Sequence, residues 1–429
     1  MKNKLLLFLS VVALSACQEH KAANNSDQQL SVLAEKYVRL GLNIGQYDTD
    51  FVDAYYGPDS LKPTSRQPIF PKDSFLQAVD TLKAALQQVA TETKNDTVRV
   101  RADWMMHQLT AFSRRIKIFS GEYSTFDAES KELFDAVAPA YPERYYQSLI
   151  AKLDSLLPGK GPVADRFQEL ANHFIISPNK LDTVFKTAIA EARKRTLQHY
   201  QLPADETFTL EYVSGKPWMG YNWYKGHYTS LIQISADLKI FIEKAIDLAC
   251  HEGYPGHHVY NMLLEKNLYH DKGWVEISLY PLFSPQSLIA EGSANFGIEM
   301  AFPGDEKTTF TKNVLLPLAG VDTTGITTYI NALAIKGALN YARNEVGRGL
   351  INGTMSDSTA LRWLLDYTLL NKESAAKGLL FVKKNRSYII NYNYGQDLIK
   401  KYIAAVPEEK RWERFGHLLS NEITPSSLK

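Results

Sequence analysis

Residues 236–258 read ADLKIFIEKAIDLACHEGYPGHH, and this stretch determines how the rest of the chain is interpreted. From Ala236 to His251 the apolar side chains recur at helical spacing, which predicts a largely buried helix. The last eight residues bring together three histidines and a glutamate, although the whole chain contains only ten histidines. Such clustering indicates a site where side chains carry out chemistry.

Imidazoles beside a carboxylate are the groups that a catalytic zinc site needs. Zinc binds His nitrogens and carboxylate oxygens, keeps an open position for water, and requires a base beside that water. The pattern His-Glu-x-x-His supplies both histidines from one helix. Here Pro255 occupies the position of the second histidine, so the ordinary form of the motif is absent.

The spacing of the histidines requires a break in the helix. On a straight helix His251 would lie about 9 Å along the axis from His257 and about 10.5 Å from His258. One metal ion bridges nitrogens no more than about 4 Å apart. Pro255 and Gly256 can interrupt the helix, and an outward bulge would return His257 to the ligand position. We favour His257 as the second ligand, with His258 as the alternative.

Most of the remaining sequence has helical periodicity. Amphipathic patterns predict helices at Phe75–Ala90, Val98–Ser113 and Asp182–Tyr200. Residues 208–213, 220–228 and 230–235 are typical of short strands, and residues 53–59 of a turn. The predicted fold class is therefore mainly α, a large helical domain with a small β-sheet just before the central metal-binding helix.

The beginning of the chain has the features of a lipoprotein leader. A basic start, the apolar run Leu5–Leu14 and the sequence Ser15-Ala16-Cys17 predict a signal peptide over residues 1–17, with Cys17 acylated. Residues 18–29 then form a flexible tether. We expect one helical domain over 30–429, with any division into two lobes near 158–165, where prolines and glycines cluster.

The composition narrows the function classes. The 429 residues include 48 Lys and Arg against 47 Asp and Glu, a net charge of +1 that predicts no nucleic-acid partner. Only Cys17 and Cys250 are cysteines, which excludes a disulfide framework and a Cys-rich zinc finger. Cys250 is expected in the core. A metal here must be held by His and carboxylate groups.

The motif His251-Glu-Gly-Tyr-Pro-Gly-His-His258, followed by Ala290-Glu-Gly292, resembles the bacterial domain-of-unknown-function family 885. The resemblance covers about residues 205–300 and, more weakly, Ala54-Tyr-Tyr-Gly-Pro. It implies a relation to thermolysin-like zinc metallopeptidases, with one Zn²⁺ per chain and Glu291 as third ligand. Tyr260 and Ser293 depart from the family pattern, at positions that we expect to face the substrate.

Other residues are expected to support this centre. Glu252 is the expected general base. Asn295 lies one turn after Glu291 and Asp247 one turn before His251, so both are candidates to orient ligands, with Glu299 a weaker one. Candidate oxyanion donors or substrate contacts lie near the C-terminus: Arg386, Tyr388, Tyr392 and Tyr394. The strand 230–235 is a candidate edge for pairing with a peptide.

The first interpretation is a zinc-dependent hydrolase, a metallopeptidase cleaving peptide or peptide-like amide bonds. It would lie in the bacterial cell envelope, on the outer membrane or facing the periplasm, and contact the membrane only through its lipid anchor. One alternative is a helical surface lipoprotein that binds glycans or peptides without catalysis, through aromatics such as Trp218, Trp223 and Tyr224. Another is a degenerate peptidase that retains its metal.

Overall fold

The computed structural model describes residues 26–216 and 218–428. The predicted signal peptide, the acylation site Cys17 and most of the predicted tether lie outside these ranges. Within them the chain is mainly helical with a small amount of sheet, so the predicted fold class is confirmed. No helix among the described residues combines the length and the apolar character needed to cross a bilayer.

The α-helices and strands follow one another in a simple order. The helices are α1 (26–45), α2 (Lys72–Glu92), α3 (Asp96–Phe119), α4 (Phe126–Phe134), α5 (Glu143–Leu156), α6 (Val163–Asn172), α7 (Leu181–Leu197), α8 (Glu243–Leu248), α9 (His257–Leu264), α10 (Pro285–Ala301), α11 (Glu306–Phe310), α12 (Leu316–Ala319), α13 (Ile326–Leu339), α14 (Ala342–Ile351), α15 (Asp357–Thr368), α16 (Lys372–Asn385), α17 (Ile390–Ala404) and α18 (Arg411–Leu419). The strands are β1 (Val52–Tyr55), β2 (Thr207–Val213), β3 (Gly220–Gly226), β4 (Thr229–Ser235) and β5 (Leu279–Pro281).

Shorter helical turns connect these elements. The 3₁₀ turns are Asp59–Leu61, Pro178–Lys180, Val275–Ser278, Arg386–Ile389, Glu408–Lys410 and Pro425–Leu428, and the π-helical turns are Ala249–Gly253, Glu265–His270 and Thr311–Leu315. The described residues fall into two compact units. One unit ends at Glu122 and also includes Leu268–Ser284, while the other contains Tyr123–Asn267 and the chain from Pro285 onward. The segment 158–165 lies inside the second unit.

The first unit is built on α1, α2 and α3. Tyr37 of α1 stacks on Phe112 of α3 with ring centroids 5.0 Å apart. Strands β1 and β5 pair antiparallel, where the sequence had predicted a turn. A buried Arg101 forms a bidentate ion pair with buried Glu276, whose Nη2–Oε2 distance is 2.9 Å. A buried charge is tolerated when it is paired in this way.

The second unit contains the three-stranded sheet. Its strand order is β2-β4-β3, with β2 and β4 parallel and β3 and β4 antiparallel. Ile232 and Ile234 of β4 are buried, two residues apart on one face, as the alternation of a strand requires. Strand β4 is therefore central, with both edges paired. The expectation that 230–235 forms a free edge is wrong, and β3 is one of the two edge strands.

The central helix begins later than its periodicity predicted. Residues 236–242 are not helical, and α8 starts at Glu243. The backbone of this segment is engaged elsewhere: the Ile242 amide donates to the Phe174 carbonyl at 2.8 Å, and the Ile240 carbonyl accepts from the Ile176 amide at 2.9 Å. These tertiary hydrogen bonds replace the helical ones, so Ile240 and Ile242 are buried without being helical, whereas Leu238 is exposed.

Candidate metal centre

The segment between Ala249 and His257 changes the direction of the chain within a few residues. A π-helical turn, Ala249–Gly253, widens the end of the central helix, and Tyr254 is then extended. A new helix, α9, begins at His257. A Cβ at Gly256 would overlap the carbonyl oxygens of His251 and Cys250, so only glycine allows this close approach. Cys250 is fully buried and free, as expected of a core residue.

This bend brings three ligand atoms together. His251 Nε2 lies 3.2 Å from His257 Nε2 and 3.5 Å from Glu291 Oε2, and the His257–Glu291 distance is 3.8 Å. Two ligands at a tetrahedral zinc ion are separated by about 3.3 Å, given bonds of about 2.0–2.1 Å. Glu291 Oε2 is buried and makes no hydrogen bond within the described part of the chain. The three residues therefore fit a metal ion.

Asn295 determines which nitrogen of His251 is available. The Asn295 amide nitrogen donates to the Tyr392 carbonyl at 3.0 Å, because a carbonyl can only accept. The Asn295 carbonyl oxygen must then face His251 Nδ1, at 3.0 Å, and accept its proton. Nδ1 therefore carries a hydrogen, and in the neutral imidazole the lone pair is on Nε2, the nitrogen that faces His257 and Glu291. Asn295 thus contacts His251, the candidate ligand that it was expected to orient.

Asp247 does not make the contact expected of it. Its carboxylate pairs with Lys244 at 3.1 Å and with Lys307, and Asn295 takes the position beside His251. One helical turn separates Asp247 from His251, but the π-helical turn that begins at Ala249 changes the angular relation between them. Glu299 is also elsewhere, where it binds Lys400 at 2.8 Å on the surface.

The electrostatics of the three groups are coupled. Burial lowers the pKa of His251, but Glu291 and Glu252 outweigh this effect and raise it to about 9. Burial and the neighbouring His251 lower the pKa of His257 to about 4. Burial raises the pKa of Glu291, yet the two imidazoles lower it overall. The cluster therefore favours an ionised carboxylate beside a positive charge, an arrangement that a divalent cation would also satisfy.

Glu252 is buried next to this cluster, at the end of the sheet. The Asn222 side chain of β3 donates to the Glu252 carbonyl at 2.7 Å and holds the backbone at this point. A Cβ at Gly220 would lie 3.2 Å from Glu252 Oε1, so the start of β3 passes close to the carboxylate. The edge strand and the candidate base are thereby held next to each other.

Two of the four C-terminal candidates reach the centre. The Tyr388 hydroxyl donates to Glu291 Oε1 at 2.9 Å, and Tyr392 interacts electrostatically with both Glu291 and Glu252. Arg386 instead pairs with buried Glu129 at 2.7 Å. Tyr394 interacts with Asp397 and Tyr141 rather than with the cluster. The sequence could not show which of these four side chains reach the centre. Arg386–Ile389 form a 3₁₀ turn and α17 begins at Ile390, so the four residues do not share one helical periodicity.

The other histidine of the motif has a different environment. His258 is fully buried, and its Nε2 donates to Glu206 Oε2 at 3.0 Å. Its Nδ1 then accepts from the Ser230 hydroxyl at 2.8 Å. Both ring nitrogens are used, so His258 has none left for a metal. Glu206 also accepts from Tyr254 at 2.6 Å and pairs with Arg193 at 2.6 Å, which ties the bend to β2 and α7.

Sequence reasoning missed Glu206, Arg193, Asn222 and Gly220. No spacing rule links Glu206 to a histidine 52 residues later, since tertiary folding alone brings them together. The two residues that depart from the family pattern have little contact with solvent. Tyr260 and Ser293 are buried in the core, and the Ser293 hydroxyl donates to the Ala290 carbonyl at 3.1 Å within α10.

The aromatic residues considered for ligand binding separate into two environments. Trp218, Tyr221 and Trp223 form a row with ring centroids 5.6 and 4.5 Å apart. The Trp223 indole is exposed and donates to Gln233 at 3.0 Å. Tyr224 is buried and hydrogen-bonded to Glu265, so it contributes to packing and not to a binding face.

Comparison with known proteins shows a shared fold. No protein-family model matches the sequence, and no curated protein sequence matches it either. A candidate lipoprotein from Colwellia psychrerythraea has a similar structure, with a TM-score of 0.53 and 12% identity over 83% of this chain and 68% of that one. At that identity the likeness shows the fold alone, and the resemblance to family 885 still rests on the sequence motif.

Weaker structural likenesses extend to two peptidases. The M32 carboxypeptidase from Deinococcus radiodurans R1 gives a TM-score of 0.45 and 11% identity over 94% of each chain. Trypanosoma cruzi metallocarboxypeptidase 1 gives a TM-score of 0.44 and 12% identity over 94% of this chain and 95% of that one. These two scores are too low to support a conclusion about this chain.

Proposed function

We propose that this protein is a zinc-dependent peptidase. The observation that carries the proposal is the convergence of His251, His257 and Glu291, with ligand atoms 3.2–3.8 Å apart, beside the buried carboxylate of Glu252. A binding site for glycans or peptides has no need for three metal-ligating atoms next to a base. Two imidazoles and one carboxylate suit zinc, although cobalt and nickel accept the same ligands.

Zinc bound by these three residues would polarise the scissile carbonyl and make an attacking water more acidic. Glu252 would accept the proton of that water and later deliver it to the leaving amine. Tyr392, near both Glu252 and Glu291, is the candidate donor to the carbonyl oxygen as negative charge develops there. Tyr388 and Asn295 would hold Glu291 and His251 in place.

The edge of β3 is the candidate position for an extended substrate. It passes beside Glu252 at Gly220, and of the described strands only β4 pairs with it, on its inner side. A peptide that added to this edge would bring its scissile bond near the carboxylate. The aromatic row Trp218-Tyr221-Trp223 lies on or next to the same strand and would contact the side chains of such a peptide.

A direct experiment is to load the purified protein with zinc and incubate it with a peptide library, beside the metal-free protein. We expect cleavage products only with metal. Full occupancy by zinc without any cleavage would favour the degenerate peptidase. Absence of metal binding together with capture of glycans would favour the non-catalytic lipoprotein instead.

The proposed location is the bacterial cell envelope. Its support is the sequence alone: an apolar run of about ten residues, too short to span a membrane, ends at Leu14-Ser-Ala-Cys17. The acylated Cys17 would anchor the protein, and the enzyme would act on peptides or peptide-like bonds outside the cytoplasmic membrane.

A further inference from the structure

Arg343, in the first turn of α14, carries a charge that this fold does not neutralise. No carboxylate among the described residues forms an ion pair with it, and its Nε is buried without a hydrogen-bond partner. Burial lowers the pKa of its guanidinium, and Tyr392 is the side chain that opposes this effect. The well-buried arginines Arg101 and Arg115, in contrast, each form a bidentate pair with an acid.

A second cation lies beside it. Lys336 of α13 lies over the Phe167 ring, with its Nζ 4.7 Å from the ring centroid, and has no ion pair among the described residues. Burial and repulsion by Lys244 lower the pKa of Lys336 to about 8, and Arg343 contributes to the repulsion. Two partly buried cations are therefore close enough to repel each other. Bringing an anion between them would relieve that repulsion.

These cations are linked to the candidate metal centre through Tyr392. Arg343 interacts with Tyr392, and Tyr392 interacts with both Glu291 and Glu252. The hydroxyl of neighbouring Tyr388 donates to Glu291 at 2.9 Å. The Asn344 side chain, next to Arg343 in α14, also donates to the Asn393 side chain, next to Tyr392 in α17, at 3.0 Å, so the two helices are in contact at this point.

We propose that Arg343, assisted by Lys336, binds a carboxylate of the substrate next to the scissile amide bond. The planar guanidinium can form two parallel hydrogen bonds with a carboxylate, which fixes the orientation of the substrate as well as its position. This inference rests on the proposed peptidase function and specifies its substrate class. The carboxylate can be the C-terminal one of a peptide, which makes the enzyme a carboxypeptidase, or the side chain of an acidic residue.

The test measures binding without turnover. Full-length, zinc-loaded Glu252→Gln protein is titrated calorimetrically with three probes: N-acetyl-Ala-Phe, its C-terminal amide, and N-acetyl-Ala-Glu with an amidated C-terminus. We expect roughly 10- to 100-fold tighter binding of a carboxylate probe than of the neutral amide, the range of a charge-assisted hydrogen bond. Preference for the first probe identifies C-terminal recognition, and preference for the third identifies an acidic side chain.

The variants at Arg343 distinguish this site from carboxylate binding by zinc alone. Arg343→Gln in the same background should abolish the preference, while Arg343→Lys should retain part of it. Arg414→Gln is the matched control, because Arg414 also has a buried, unbonded Nε but stacks on the Tyr402 ring at 3.8 Å. If Arg343→Gln does not fold, Lys336→Met is expected to weaken the preference several-fold.

The inference is overturned if the three probes bind alike or not at all, or if the preference persists undiminished in the folded Arg343 and Lys336 variants. The proposed peptidase function is tested independently of this inference. Wild-type protein that cleaves neutral amides as well as acids would contradict this inference alone. A preference that depends on Arg343, in a protein that cleaves no peptide, would contradict only the catalytic proposal.

Discussion

Gly292 of α10 lies against Gly395 of α17 so closely that a Cβ on Gly292 would be 2.5 Å from the carbonyl carbon of Gly395. Helices with small residues at their crossing point can approach until their backbones touch. Glu291 precedes Gly292, and the Tyr388 that binds Glu291 lies in the 3₁₀ turn directly before α17. The glycine contact therefore sets the distance between a candidate ligand and the side chain that holds it.

Gly292→Ala should separate the two helices and loosen this arrangement. We expect a loss of about 1–3 kcal/mol in the free energy of unfolding, because the added methyl meets backbone and not a flexible side chain. Zinc affinity should fall as well. Denaturant unfolding with and without zinc measures both effects. Gly337→Ala in α13 is the control, since its Cβ meets nothing within 4 Å and should be neutral or slightly stabilising.

Removing a ligand should remove the metal. We expect His251→Ala, His257→Ala and Glu291→Ala each to lose most of the bound zinc while keeping their helical content, because each would supply one of the three ligand atoms grouped among the described residues. Metal analysis after dialysis, together with circular dichroism, measures this.

His258→Ala is the informative comparison, since both nitrogens of His258 are engaged by Ser230 and Glu206. That variant should be destabilised, because the Glu206 carboxylate loses one of its donors. The folded fraction should still bind zinc more tightly than folded His257→Ala does. The reverse order would make His258 the ligand.

Glu252→Gln should separate metal binding from catalysis. Glutamine preserves the size of the side chain but cannot accept the proton of the attacking water, so hydrolysis should fall by at least about 10²–10⁴-fold. Zinc content should equal that of the wild type, since Glu252 is not among the three grouped ligand atoms. Loss of zinc would indicate a structural or ligating role, and near-normal hydrolysis would exclude Glu252 as the base.

Low pH should reduce the free energy of unfolding, because protonation of Asp247 removes its charge. Burial raises the pKa of this carboxyl, but Lys307 and Lys244 outweigh burial and lower it from 3.8 to about 2. A lowered folded-state pKa means that the stabilisation is complete above about pH 4 and is lost as the pH falls toward 2. At pH 7, Asp247→Asn should cost about 2 kcal/mol in the free energy of unfolding.

Urea unfolding of metal-free wild type and Asp247→Asn, repeated from pH 7 to pH 2.5, measures the difference between the two proteins. That difference should shrink below about pH 4. A difference that stays constant with pH would show that the ion pairs of Asp247 with Lys244 and Lys307 contribute nothing beyond packing.

Cys17→Ser should release the protein from membranes. The expectation comes from the leader sequence, because acylation of this cysteine is what would anchor the chain. Fractionation after a high-salt wash, with labelling by a fatty-acid analogue, measures the outcome. A variant that remains acylated and in the membrane fraction would show that Cys17 is not the anchor.

The sequence by itself determined the helical class, the small sheet before the central helix, and the concentration of chemistry between His251 and His258. These follow from local rules, since periodicity reports secondary structure and the Pro255-Gly256 pair requires a break in the helix. Only the tertiary structure favoured His257, which it groups with His251 and Glu291, over His258. That choice depends on Ser230 and Glu206, which occupy both nitrogens of His258 from elements far away in sequence.

The same physical reason explains the other differences. Asp247 pairs with Lys244 and Lys307, β4 has a strand on each side, and the central helix begins late, because each of these outcomes depends on contacts that periodicity along the chain does not report. The sequence likewise does not indicate that Arg343 lacks an ion pair among the described residues. The sequence shows which chemical groups are present, whereas the tertiary structure determines which neighbours each group contacts and therefore which role it has.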